Sequence, residues 1–87
     1  MGNKDIKENF TLSSQFSEYV VHHPVVMQGI PQSARIVLIP EENKKLAEKN
    51  KKIAHEIARK QHRKVYGAIK KGDRWTVKKL EFSLAEQ

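Results

Sequence analysis

Histidine, lysine and arginine are the side chains of this 87-residue chain whose number and spacing could support chemistry. Four histidines raise the question of a metal site, but His22 and His23 are neighbours, and their side chains diverge by roughly 100° on a helix. His55 and His62 lie roughly 10 Å apart along a helix axis, whereas a zinc pair on one helix uses i,i+3 or i,i+4 spacing. Since the chain has no cysteine, the sequence predicts neither a metal site nor a cofactor.

Recognisable catalytic motifs are missing from the sequence. It contains no G-x-S-x-G elbow, no Walker-type glycine run and no H-E-x-x-H motif. Ser13, Ser14 and Ser17 fall within a predicted helix, where a hydroxyl usually bonds the preceding turn. Glu41 and Glu42 could form a carboxylate pair, but the positive end of a helix dipole also explains acids at that position. We therefore predict that the protein is not an enzyme. A small enzyme of unknown reaction is kept only as the third hypothesis, after the two binding functions described next.

A basic helix face is the sharpest candidate for a binding site. Residues 41–64 contain nine basic and four acidic residues, so most of the formal net charge of +7 lies there. Clustered cations of this kind neutralise phosphates, while a merely solubilising face is the alternative interpretation. The candidate polyanion-binding residues are Lys44, Lys51, His55, Arg59, His62 and Arg63.

Tyr66 and Trp75 are a second candidate site, because they flank a predicted hairpin turn. If they lie opposite each other, they either stabilise the sheet as a cross-strand pair or anchor a protein partner. The leading hypothesis is therefore a non-catalytic interaction module that binds an unknown protein partner or a second copy of itself. Weak, sequence-nonspecific nucleic-acid binding through the basic face is the alternative.

Two further expectations concern the surroundings of the protein. No apolar run is long enough to span a bilayer, so we expect no membrane partner. The absence of cysteine fits a reducing cytoplasm, where we expect the protein to be located.

A first helix is predicted from about residue 4 to residue 22. It begins with an Asp5–Glu8 capping box, or alternatively with Asn3 as its cap. A short helix over about 24–28 follows, opened by Pro24 and closed by Gly29. The apolar stripe of the first helix comprises Ile6, Phe10, Phe16 and Val20, with Leu12 and Tyr19 beside it.

The remaining chain predicts a strand, a long helix and two more strands. A strand is predicted over about 34–39, because residues 36–39 are apolar without alternation, as in strands covered on both faces. The long helix spans about 41–62, and the strands that follow span about 65–70 and 75–82 around a hairpin turn. A helix over 75–84 is the alternative to the third strand. The arc of the long helix comprises Leu46, Ala47, Ile53, Ala54, Ile57 and Ala58, with Asn50 and Gln61 inside it.

These elements predict one small α/β (α+β) domain over residues 1–87, ordered α–(short α)–β–α–β–β. Its sheet is three-stranded and mixed, with a right-handed strand-helix-strand unit. The first helix covers the opposite sheet face or flanks the long helix on the same one.

An ordered set of residues between Phe16 and Glu41 also carries a family resemblance. Its elements are F-S-x-Y, H-P, I-P, A-x-I-V and P-E, read in that order along the chain. The segment over about residues 8–70 resembles a family of small prokaryotic proteins assigned only a domain of unknown function. The resemblance implies a compact α/β domain of prokaryotic origin, and it implies no activity, ligand or functional residue.

Overall fold

The computed structural model describes residues 2–82, which form two α-helices, a short 3-10 helix and three strands. The predicted class, a small α+β domain with a three-stranded mixed sheet, is confirmed. The elements are α1 (Asn3–His22), the 3-10 helix (Pro24–Met27), β1 (Arg35–Pro40), α2 (Lys44–Gln61), β2 (Val65–Lys71) and β3 (Arg74–Lys79).

The sheet has the order β1-β2-β3, with a parallel and an antiparallel pair. β1 and β2 are adjacent and parallel, and α2 connects them, as the predicted strand-helix-strand unit requires. β2 and β3 form the predicted hairpin, so the alternative of a helix in place of β3 is wrong for the described residues. Residues 83 and 84 of that alternative lie outside them. β3 ends at Lys79 and not at residue 82.

Two apolar clusters lie on opposite faces of the sheet. Val65 belongs to one and Ala68 to the other, because residues three apart on a strand point to opposite faces. Ala54 of α2 packs with Val37 and Val65 on one face. α1 covers the other face, which is the first of the two predicted placements. The buried members of that second cluster are Leu12, Phe16, Leu46, Ala68 and Trp75.

The long helix begins later than residue 41, because Asn43 caps it. The Asn43 side-chain oxygen accepts a hydrogen bond from Leu46 N at 3.2 Å, which satisfies one of the free amides of the first turn. Glu42 instead accepts a hydrogen bond from the hairpin amide of Gly72 at 2.9 Å. Glu41 and Glu42 therefore precede the helix, and the prediction that the helix begins at about residue 41 is wrong.

The Asp5–Glu8 capping box predicted for α1 is also wrong, since Gly2 is the N-cap residue and no side chain caps the helix. Both acidic side chains contact α2 instead. Asp5 accepts a hydrogen bond from Lys49 Nζ at 2.6 Å, and Glu8 accepts one from Asn43 Nδ2 at 2.9 Å. The two helices are therefore joined by polar contacts near their N-terminal halves.

Asn50 lies at the centre of this helix-helix contact and is 3% exposed. Its side-chain amide donates to the Leu38 carbonyl oxygen at 2.8 Å and exchanges hydrogen bonds with the amide of Asn9 at 2.9 and 3.3 Å. β1 is an edge strand, so Asn50 supplies a partner for one of its backbone groups. Asn50 thus lies in the apolar arc of α2 because it provides a hydrogen bond to a buried backbone carbonyl.

Candidate functional site

The structure separates the six candidate polyanion-binding residues by what their side chains contact. Lys44 and Lys51 line a groove between α2 and the sheet. Arg59 donates two hydrogen bonds to Glu56 at 3.1 and 3.2 Å, and Arg63 donates to the Ser33 carbonyl oxygen at 3.3 Å. Two of the strongest phosphate ligands of the predicted set are therefore already engaged within the chain.

The two histidines of the set have different surroundings. His55 stacks on Phe82 with ring centroids 5.0 Å apart, and its Nε2 is buried with no hydrogen-bond partner among the described residues. His62 follows α2 as the C-cap residue, in the left-handed conformation with φ 52°. A non-glycine residue at positive φ is uncommon, and it terminates the helix here. Of the six predicted residues, Lys44 and Lys51, two turns apart on α2, line the same concave surface.

This groove has a volume of about 580 Å³. It lies on the sheet face that α2 covers, and Lys78 of β3 forms its far wall. The complete lining comprises Ile39, Glu41, Lys44, Ala47, Glu48, Lys51, Ile69, Lys78 and Leu80. Aliphatic side chains and charged side chains thus meet in one surface, a combination common in ligand-binding clefts.

The charges beside the groove are only partly paired within the part of the chain that the structure describes. Lys51 Nζ lies 3.9 Å from a carboxylate oxygen of Glu48, both being half-exposed. Lys44 and Lys78 form no ion pair with residues 2–82. Further along α2, hydrogen bonds from Lys60 and then Arg59 lower the pKa of Glu56. The uncompensated positive charge of α2 therefore concentrates at the groove end of the helix.

Tyr66 and Trp75 do not lie opposite each other, so the predicted cross-strand pair is wrong. In the hairpin, Tyr66 is opposite Lys79 and Trp75 is opposite Lys70. Trp75 is 3% exposed and packs against Phe16 of α1, with ring centroids 5.1 Å apart. Its indole is part of the core of the monomer, where it is not accessible to a partner.

A surface that sequence reasoning missed lies on α1. The predicted apolar stripe divides between two sides of the helix, because Phe16 is buried while Ile6 and Phe10 are 55% and 75% exposed. Val21 is 76% exposed, and Ser13 and Ser17 are exposed as well. We call these five residues, Ile6, Phe10, Ser13, Ser17 and Val21, the α1 stripe. The serines within the apolar pattern were the signal that could have revealed it.

Within residues 2–82, no group of three or more histidines and carboxylates is placed to hold a metal ion. No helix in the same range combines the length and the hydropathy that crossing a membrane requires.

Comparison with known proteins identifies a family for the chain. The family model described as a family of unknown function (DUF5647) matches residues 5–81, which is most of the chain. The chain therefore belongs to this family, and the resemblance to a domain of unknown function is confirmed. Neither the curated proteins nor the solved structures include a significant match.

Proposed function

We propose that this protein is a non-catalytic interaction module that associates with a second copy of itself through the α1 stripe. The observation that carries the proposal is the exposure of Phe10, which is 75% exposed on a helix that already buries Phe16. A large aromatic ring exposed beside other apolar side chains is typical of protein-protein contacts.

The spacing of the stripe supports a helical partner. Ile6, Phe10, Ser13 and Ser17 recur at intervals of four, three and four residues. This is the repeat by which one helix packs along another, with large side chains inserting between small ones. In an antiparallel pair of α1 helices, Phe10 and Ile6 of one copy would lie against the serines of the other. The stripe is thus complementary to itself.

Charge supports a second copy as the partner. Residues 1–40 contain three basic and three acidic residues, whereas the whole chain has a formal net charge of +7. Two identical basic molecules repel each other least when they meet through their neutral parts. α1 has 20 residues and is thus roughly 30 Å long. Because a contact through one face of a single helix is of the small, transient kind, we expect micromolar affinity.

Sedimentation equilibrium over a range of concentrations and salt tests this proposal. We expect a reversible monomer-dimer equilibrium in the wild type, weakened at least tenfold by Phe10→Ser. Ile53→Ser is the matched control, because Ile53 is an exposed aliphatic residue on α2, and it should leave the equilibrium unchanged. Added salt should strengthen association by screening the repulsion between copies. A wild type that stays monomeric at millimolar concentration would overturn the proposal.

Nucleic-acid binding through α2 is the alternative function. Its supporting observation is that Lys44 and Lys51 lie beside one groove together with Lys78. Its salt dependence has the opposite sign, because binding to phosphates weakens as salt rises. A generic duplex bound at micromolar concentration near physiological salt, and released by further salt, would favour this alternative. A cytoplasmic location remains part of both proposals, supported by the absence of cysteine.

A further inference from the structure

We infer that the groove between α2 and β3 is a binding site for a small amphipathic anion, meaning one carboxylate or phosphate group on an apolar chain or ring. The inference concerns a different surface from the α1 stripe and does not depend on self-association. It is based on the shape of the groove, its floor and the charges on its walls.

The floor of the groove is aliphatic. Ile39 of β1, Ile69 of β2 and Leu80 after β3 line it side by side. α2 packs mainly over β1, so the β2 and β3 part of this sheet face is left uncovered. Ile39 is already buried at 4% exposure, whereas Ile69 and Leu80 are half-buried, so it is their accessible surface that gains free energy when a ligand removes it from water.

Gly67 allows this floor to form. A Cβ atom at Gly67 would lie 2.7 Å from Ile39 Cδ1 and 3.0 Å from Leu80 Cδ2. Ile39 and Leu80 can therefore settle over the middle of β2 only because residue 67 has no side chain. Gly67→Ala would push both side chains outward into the space that a ligand needs.

The walls provide the charge. Three lysines and two glutamates line the groove, which leaves an excess of one positive charge. Lys44 and Lys78 stand on opposite walls without an ion-pair partner in residues 2–82, and Glu48 lies 3.9 Å from Lys51. In the inferred complex, the anionic head group lies between these two lysines while its apolar part lies on the floor. The volume of about 580 Å³ is within the usual range for small-molecule sites.

His55 and Phe82 line a second cavity of about 380 Å³ beside the groove, and their rings are stacked with centroids 5.0 Å apart. The two cavities share Glu48, Lys51 and Leu80 in their linings. An apolar chain that extends beyond the floor of the groove would therefore meet this aromatic pair, which favours an amphipathic ligand over a bare ion.

The test is a protein NMR titration with decanoate, below its micelle concentration, at physiological ionic strength. We expect saturable shifts of the Ile39, Ile69 and Leu80 resonances. Acetate, which has only the charge, and 1-octanol, which has only the chain, should each bind at least tenfold more weakly. Decyl phosphate in a parallel arm distinguishes the two head groups, and either one binding at the groove supports the inference.

Two charge variants and one floor variant complete the test. Lys44→Gln with Lys78→Gln should weaken decanoate binding about tenfold, as expected for two exposed charge contacts. Lys45→Gln with Lys64→Gln makes the same change in net charge outside the groove and should have no such effect. Gly67→Ala should weaken binding while the spectrum stays that of a folded protein.

Several results would overturn the inference. Decanoate shifts confined to the α1 stripe would assign the apolar surface to α1 alone. If the groove variant and the control variant weakened decanoate binding equally, the loss would come from the net charge of the protein and not from contacts in the groove. A short duplex that shifts the groove resonances with higher affinity than decanoate would make nucleic acid the occupant. The dimer variant Phe10→Ser should bind decanoate normally, so failure of self-association and failure of the site are distinguishable.

Discussion

α1 and α2 differ in how their apolar residues are divided between the core and the solvent. α2 buries Leu46 and Ala54 completely, and its solvent side is largely charged. α1 buries Leu12 and Phe16 on one side and exposes a second apolar set, the α1 stripe, on another. A helix whose apolar residues occupy more of its circumference than the sheet covers has surface available for a further contact.

The largest expected effect on stability is the difference between substitutions on the buried and the exposed side of α1. Phe16→Ala should reduce the free energy of unfolding by about 3–5 kcal/mol, because it removes a buried ring that packs against Trp75. Phe10→Ala, the same change on the exposed side, should alter it by less than about 0.5 kcal/mol. Urea unfolding monitored by circular dichroism measures both. Similar losses for the two variants would break the comparison, since Phe10 would then be part of the core.

An intermediate effect is expected where the two helices meet. Asn50→Ala should cost about 1–3 kcal/mol, because it leaves the buried Leu38 carbonyl oxygen without the Asn50 amide and removes the two hydrogen bonds between Asn50 and Asn9. Asn9→Ala should cost less, since Asn50 keeps its bond to Leu38. Thermal unfolding of both variants checks the order. A larger loss for Asn9→Ala would mean that the helix-helix contact and not the edge-strand carbonyl dominates.

The smallest expected effect is a pH dependence of the contact between α1 and α2. The hydrogen bond from Lys49 is the main cause of the lowered pKa of Asp5, whose ordinary value is 3.8. A carboxyl with a lowered folded pKa stabilises the fold above its unfolded pKa, and this contribution is lost as pH falls through the folded pKa. The contact should therefore weaken only in acid.

An NMR titration of the Asp5 carboxyl carbon measures this effect. We expect a midpoint below 3.8 in the wild type and a return towards 3.8 in Lys49→Gln. Glu18→Gln is a control that leaves the ion pair between Asp5 and Lys49 intact. An unchanged Asp5 midpoint in Lys49→Gln would show that the 2.6 Å contact does not persist in solution.

The sheet and α2 could be predicted from the sequence because local patterns determine them. The unbroken run Ile36–Ile39 indicated a strand covered on both faces, and the aliphatic arc of α2 indicated the helix that covers one of them. Gly72, with φ 62°, marks the hairpin turn between β2 and β3. Each of these signals lies within a few residues of the element that it predicts.

The features that could not be predicted depend on contacts between distant parts of the chain. The orientation of α1 is accompanied by hydrogen bonds that involve Asp5, Glu8 and Asn9, whose partners lie 35 to 44 residues away. No spacing within α1 reveals those partners. The groove likewise needs residues from β1, α2, β2 and the end of β3, so the helix face alone identified two of its lysines.

The hairpin register, which contradicts the predicted pairing of Tyr66 with Trp75, does follow from local sequence. The turn places Lys71 opposite Arg74, and counting outward from that pair puts Trp75 beside Lys70. Because hairpin register follows from the turn, the position of Tyr66 far along β2 was implied by the sequence. The positions of Tyr66 and Trp75 relative to the turn therefore exclude them as a directly opposed pair.

The packing of Trp75 against Phe16 has a practical consequence. Trp75 is the one tryptophan of the chain, and its indole lies between the sheet and α1. If α1 separates from the sheet, that indole moves from an apolar environment into water, and its fluorescence emission shifts to longer wavelength. The protein therefore carries an intrinsic optical reporter of whether its first helix is attached, which needs no label and responds even where the helix itself stays folded.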